Sequence, residues 1–208
     1  MVHGDDKGLR LPPKLAPIQV VIIPIFKSDE DLEKIKVFLS NIFEEFKINK
    51  IRFHLDSRRK LSPGFKFNEW EMKGVPIRIE VGQRDIDSNS IFVARRDTNE
   101  KKSIKIDEGF KKIQELICDI QDNLYESAKK FRNDNTFTAN NYDEFKSIIK
   151  TGGFVECGWD GKTETEDKIK KETKATIRCI PFNNNAENLK CIYTKESAKY
   201  KVIFAKAY

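Results

Sequence analysis

The sequence predicts an α/β protein built as two domains, and three observations carry that prediction. First, "IQVVIIPI", Ile18 to Ile25, is a near-continuous β-branched run of strand length, the pattern of a strand buried on both faces. Second, apolar residues spaced by three and four follow it, and then the alternating "IRFHLD", so that the three segments make a right-handed βαβ unit. Third, "NDNTFTANN", Asn133 to Asn141, gathers Asn, Thr and Asp without periodicity and marks a domain boundary. A chain of 208 residues is long enough for one large domain or two small ones, with a core that needs no disulfides.

Taken in order, "LRLPPKLAP", Leu9 to Pro17, is too rich in proline for a helix or a central strand and reads as an extended linker. Ser28 reads as an N-cap with Asp31 as its acidic partner, and Leu32, Ile35, Leu39, Ile42, Phe43 and Phe46 make Ser28 to Lys47 one amphipathic helix. Ile51 to Asp56 is the second strand. The basic "SRRKLSPG" is loop, Pro63 opens a short helix over Phe65 to Lys73, and Gly74 with Pro76 ends it. Val75, Ile77, Ile79 and Val81 alternate with Pro76, Arg78 and Glu80, which predicts a strand that buries one face and displays a charged one.

"IFVARRD" and "KSIKID" flank the turn-like "TNEK" as a hairpin. A long helix from about Asp107 to Arg132, striped by Phe110, Ile113, Ile117, Ile120, Leu124 and Phe131, closes the first domain. Beyond the boundary come a helix at Tyr142 to Lys150 stopped by Gly152 and Gly153, a strand through Phe154 to Cys157, and a charged helix near Glu164 to Thr173. Three β-rich pieces finish the chain: "ATIRCIPF", "KCIY" and "YKVIFAKAY".

Composition excludes some classes. Lys and Arg number 39 against 33 acidic residues, a formal charge of +6, which suits a polyanionic partner without identifying one. The longest apolar run, Ile18 to Phe26, is broken by Gln19 and Pro24 and is far shorter than the roughly 20 residues a bilayer demands. No membrane partner is expected. "MVHGDDKG" lacks the regions of a secretory signal, and four cysteines do not make a disulfide framework, so the default setting is reducing and cytoplasmic.

Catalytic motifs are missing: no Walker-type loop, GxGxxG, HExxH or GxSxG occurs. Cys157 and Cys191 each begin a short polar segment where a four-thiolate zinc site wants a pair at each end, and the second member of each pair is lacking. Buried free thiols are the plainer reading of all four cysteines, and Cys118 on a helix stripe and Cys179 in a strand fit it well. The densest chemistry lies in "GFKFNEWEMKGVPIRIEVGQRD", Gly64 to Asp85. Phe67 and Glu71 share one side of a helix, Arg78 and Glu80 the polar face of the next strand, and Arg84 and Asp85 the loop beyond Gly82. An aromatic plate, a carboxylate and arginines suit single-stranded RNA, where bases stack and guanine offers donors to a carboxylate and acceptors to Arg. The same charges also make plain surface ion pairs, Glu71 with Lys73 or Arg78 and Glu80 with Arg84, each worth about 0 to 1 kcal/mol.

Four ordered blocks, "HGDDKGLRLPPKLAPIQVVIIPI", "LSPGFKFNEWEMKGVPIRIEVGQRD", "TKATIRCIPF" and "YKVIFAKAY", resemble the C-terminal part of prolyl-tRNA synthetases of the eukaryotic and archaeal type, over nearly the whole chain. The resemblance implies residues 1–17 as the end of the catalytic domain with its third class II motif and a linker. Residues 18–134 would be the anticodon-binding domain, a mixed five-stranded sheet with flanking helices, and 135–208 the small α/β C-terminal domain. It assigns anticodon contacts to Phe67, Glu71, Arg78, Arg84 and Asp85, with Arg84 where some relatives have lysine. His3 and Tyr208 would lie toward the edge of the parent active site.

The resemblance further implies tRNA with a proline anticodon as partner, the catalytic domain of the same enzyme, a homodimeric parent, and ATP with magnesium as the parent's cofactors. Catalytic residues would lie upstream of Met1, so this chain by itself is expected to be inactive and to hold no cofactor. Zinc-binding relatives use four cysteines. Here only Cys157 and Cys191 match, with Thr165 near the second position and Tyr193 or Thr194 at the fourth, so loss of zinc is expected. An interaction or stabilising domain with little RNA affinity of its own is the competing expectation.

Overall fold

The computed structural model describes residues 3–206. It opens on two short antiparallel strands, β1 (Gly4–Asp5) and β2 (Gly8–Leu9). The buried run predicted from its β-branched residues is β3 (Val20–Pro24), and every one of its residues is buried. The apolar stripe after it folds as two helices, α1 (Asp29–Phe38) and α2 (Ser40–Ile48), rather than one. Leu39 between them leaves the helical region at φ −91° and ψ 1°, and Ser40 and Asn41, weak helix formers, begin the next turn. Spacing could not reveal this break, because Leu39, Ile42 and Phe46 stay on the buried side across it.

The remaining elements of the first unit are β4 (Phe53–Leu55), α3 (Pro63–Met72), β5 (Ile77–Val81), α4 (Gln83–Asp87), β6 (Ser90–Arg95), β7 (Lys101–Lys105) and α5 (Ile106–Asp134). The sheet has the order β4-β3-β5-β6-β7, parallel through β4, β3 and β5 and antiparallel beyond. That is the mixed five-stranded sheet expected from the sequence. One face, with Val20, Ile22, Ile77, Ile79 and Val93, packs against α1, α2 and α5. The other, with Val21 and Ile23, packs against Trp70 and Phe67 of α3.

Two further expectations fail in this unit. The alternating strand does not display its charged side, since α3 covers it and Arg78 is only 6% exposed. Nor is Leu9 to Pro17 a free linker. Arg52 donates to the carbonyls of Pro13 and Ala16 at 2.8 and 2.9 Å, the Leu11 N–H donates to the Gly74 carbonyl at 3.2 Å, and Arg96 forks onto Asp5 at 2.6 and 2.8 Å. Gly74 permits the approach: it ends α3 at φ +73°, and a Cβ there would lie 2.6 Å from that of Leu9.

The compact units divide between Ala128 and Lys129. In the second, β8 (Thr136–Thr138), α6 (Tyr142–Thr151), β9 (Phe154–Trp159), α7 (Thr163–Thr173), β10 (Ala175–Cys179) and β11 (Tyr200–Lys206) build a sheet of order β10-β11-β9-β8 over Phe145, Ile149, Ile169, Val202 and Phe204. Asn141 caps α6, its Oδ1 accepting the Glu144 N–H at 2.9 Å. The aperiodic stretch at the boundary therefore contains a strand, β8, which gains its order from parallel pairing with β9. "KCIY" is not a strand: Lys190 and Cys191 make single bridges and a turn follows. Among the described residues no helix is long and apolar enough to cross a membrane.

Candidate nucleic-acid interface

The charged stretch of the first unit is organised by α3. Ser62 caps it, its Oγ accepting the Phe65 N–H at 3.3 Å, and Pro63 occupies the first turn, where its missing N–H costs nothing. The helix is then fixed against the end of β4. The Trp70 indole donates to Asp56 Oδ2 at 2.8 Å and Lys66 Nζ donates to the Asp56 carbonyl at 3.0 Å. Burial pushes the Asp56 carboxyl up, but hydrogen bonds from Arg58 and Trp70 outweigh it and hold the group well below the usual carboxylate range. With Lys66 and Trp70 turned inward, Phe67 and Glu71 face β5.

There Arg78 joins three groups. Its Nη1 donates to Glu71 Oε1 at 2.8 Å, its Nε donates to Glu80 Oε1 at 2.9 Å, and its guanidinium carbon lies 4.2 Å from the Phe67 ring centroid. Arg96 on the strand's far side donates to the Glu71 carbonyl at 3.1 Å, fixing the helix end. Glu71 keeps 26% of its side chain exposed, at the wall of a cavity of about 260 Å³ lined also by Arg78, Ala94, Arg96 and Lys101. A guanidinium so held loses little further freedom when it meets a planar ligand.

Three of the five residues singled out from the sequence, Phe67, Glu71 and Arg78, thus meet in one cluster. Arg84 and Asp85 stand apart on α4, and among the described residues no hydrogen bond or ion pair ties either to Arg78. Asp85 caps its own helix, its Oδ2 accepting the Gly82 N–H at 2.8 Å, while Arg84 is exposed. Sequence reading paired Glu80 with Arg84. The structure pairs it with Arg78, which the shared strand face already favoured. Lys73 takes Glu69, not Glu71. Arg96 was missed, because nothing local in "ARRD" says which arginine turns toward Asp5. His3 is exposed, and Tyr208 lies outside the described residues.

In the second unit Gly158 lets the Cys191 segment lie against β9, since a Cβ there would fall 2.4 Å from the Lys190 carbonyl oxygen. Cys157 and Cys191 are buried free thiols, whereas Cys118 and Cys179, expected to be buried as well, are exposed, since the stripe of α5 turns Cys118, and the register shift after Ile177 in β10 turns Cys179, away from the cores. Burial, and the neighbouring Cys191, push the Cys157 thiol up to about 12. The residues at the other two expected ligand positions are spoken for. Thr165 Oγ1 donates to Asp160 Oδ2 at 2.7 Å, and Thr194 Oγ1 donates to the same oxygen at 3.4 Å. Among the described residues no group of three or more His, Cys, Asp or Glu could hold a metal ion, so the donor set does not fit a tetrahedral thiolate site.

The mixed sheet that carries this polar cluster takes its class from the family model described as "Anticodon binding domain", which matches residues 19–116. A second model, "Prolyl-tRNA synthetase, C-terminal", matches residues 142–208. Proteins named proline--tRNA ligase are 47% identical over 211 residues in Phocaeicola vulgatus, 47% over 209 in Cytophaga hutchinsonii and 46% over 210 in Flavobacterium psychrophilum. Each match takes in the whole of this chain and 42 to 43% of the relative, so the chain spans less than half the length of the relatives it matches. The chain belongs to the prolyl-tRNA synthetase family, as its C-terminal, anticodon-binding part.

Proposed function

We propose that this chain reads the two guanines that end a proline anticodon, with Glu71 and Arg78 as the reading pair. The observation that carries the reading is the Glu71–Arg78–Glu80 network laid over Phe67. Among the described residues no hydrogen bond occupies Arg78 Nη2 or Glu71 Oε2, so each side chain retains capacity for a ligand. Guanine's Watson–Crick edge presents N–H donors that a carboxylate accepts, and its O6 and N7 accept from Arg. Exposed Arg84 meets the second guanine or its phosphate, and Asp85 caps the start of α4, the helix that carries Arg84.

For the whole protein we propose the activity in its relatives' name, joining proline to its tRNA. ATP and magnesium would serve in the part of the relatives this chain does not span, in a homodimeric enzyme. The second unit would fold without zinc, Asp160 joining by hydrogen bonds Thr165 and Thr194, which stand at two of the four expected ligand positions.

Affinity for a proline tRNA transcript, measured at fixed salt against transcripts with either guanine replaced, tests the reading. Base discrimination by a good polar pair is worth about 1 to 3 kcal/mol. Glu71→Ala is expected to weaken cognate binding and flatten that discrimination. Equal loss on cognate and altered transcripts removes the base-reading role. Absence of binding by the unaltered chain favours a stabilising domain instead.

A further inference from the structure

The face of the sheet that α3 covers at β3 and β5 continues over β6, where Ser90 and Ala94 are buried and Phe92 is half-buried, to an exposed edge on β7. Register places three rows across it: Arg78, Ala94 and Lys101; Glu80, Phe92 and Ser103; and, at the far end, Ser90 and Lys105. On β7 all three of these side chains are exposed. Phe92 is half-buried and packs against none of the apolar cores among the described residues. Its cross-strand neighbours are a carboxylate already bonded to Arg78 and a small hydroxyl, so register sets it one strand from the Glu71–Arg78 cluster between two polar side chains. Lys105 Nζ donates to the Ser88 carbonyl at 2.9 Å, and Lys101, one row from Phe92, has no ion-pair partner among the described residues.

We propose that Phe92 is a stacking platform for a third unpaired RNA base, adjoining the guanine-reading pair, with Lys101 taking that nucleotide's phosphate. The inference rests on the RNA-binding reading above. An aromatic ring accepts any base, and Ser103 and Ala94 beside it are too short to read a base edge, so the platform holds its base without selecting it. Proline has four codons that differ only in the base pairing with the first anticodon position. A site that must serve them all gains from such indifference there.

The test measures affinity of this chain for proline tRNA transcripts carrying each of the four bases, or no base, at the first anticodon position. Phe92→Leu is expected to weaken all four complexes by the same factor, roughly fivefold or more. On the abasic transcript the unaltered chain should lose as much, and Phe92→Leu should lose nothing further. Lys101→Ser should lower the slope of log affinity against log salt by about 0.7. Unchanged thermal unfolding of Phe92→Leu shows that the variant folds. The platform is overturned if Phe92→Leu binds like the unaltered chain, if its loss depends on which base is present, or if the loss persists on abasic RNA. Those outcomes leave guanine discrimination by the unaltered chain intact. Failure of that discrimination, or of all binding, overturns the underlying reading and the platform with it.

Discussion

Replacing Asp160 by Ala tests how the second unit holds together where relatives would use a metal. Asp160 Oδ2 accepts from Thr165 at 2.7 Å and from Thr194 at 3.4 Å, and Oδ1 accepts the Lys162 N–H at 3.1 Å. The Thr194 bond is long, and the Lys162 amide is free to turn to water. Thr165, only 4% exposed, would lose its partner without gaining a solvent one. A hydrogen bond to a charged group is worth about 1.5 to 3 kcal/mol, so Asp160→Ala should cost about 2 to 3 kcal/mol. For a 60–100-residue domain each kcal/mol moves the midpoint by about 4 to 8 °C, which puts the loss at roughly 10 to 20 °C. Asp160→Asn keeps an acceptor and should lose less. Calorimetry on the three proteins, each scanned with and without EDTA, reads the result. The reasoning is refuted if Asp160→Ala melts with the unaltered chain, or if chelation lowers the unaltered chain's midpoint by a comparable amount.

Two further outcomes follow from the titratable groups. At about pH 8 a thiol reagent should label Cys118 and Cys179, which are exposed, and spare Cys157, whose buried thiol held at about 12 forms little thiolate, and Cys191, which is buried out of the reagent's reach, until the chain unfolds; four fast thiols would contradict this. Asp56, whose carboxyl is held below its unfolded value of about 3.9, contributes stability that is complete above that value and is lost as pH falls through it toward the folded value. Asp56→Asn should therefore lower the urea midpoint at neutral pH and flatten its fall into acid, and parallel acid limbs for the two proteins would count against Asp56 as the source.

Much of the fold was legible because it rests on local pattern. The β-branched run of β3, the apolar stripe after it, the start of α3 at Pro63 and its stop at Gly74, and the stripe of α5 each state their element, and the hairpin of β6 and β7 follows from alternation on either side of a turn. The break at Leu39 was not legible, since the buried side runs on across it, and β8 was not, since its only support is the partner strand β9.

The same division runs through the site. Sequence by itself put Phe67 with Glu71 and Arg78 with Glu80, because a helix repeats every 3.6 residues and a strand every two. A period tells which side chains share a face, never what lies over that face. Only the tertiary structure decided that α3, fixed through Asp56 to Trp70 and Lys66, closes over β5, so that Arg78 is buried between Phe67, Glu71 and Glu80 and not set out in water. The same docking stops short of Phe92, half-buried one strand away, for contacts between elements distant in sequence obey packing, which no local repeat records.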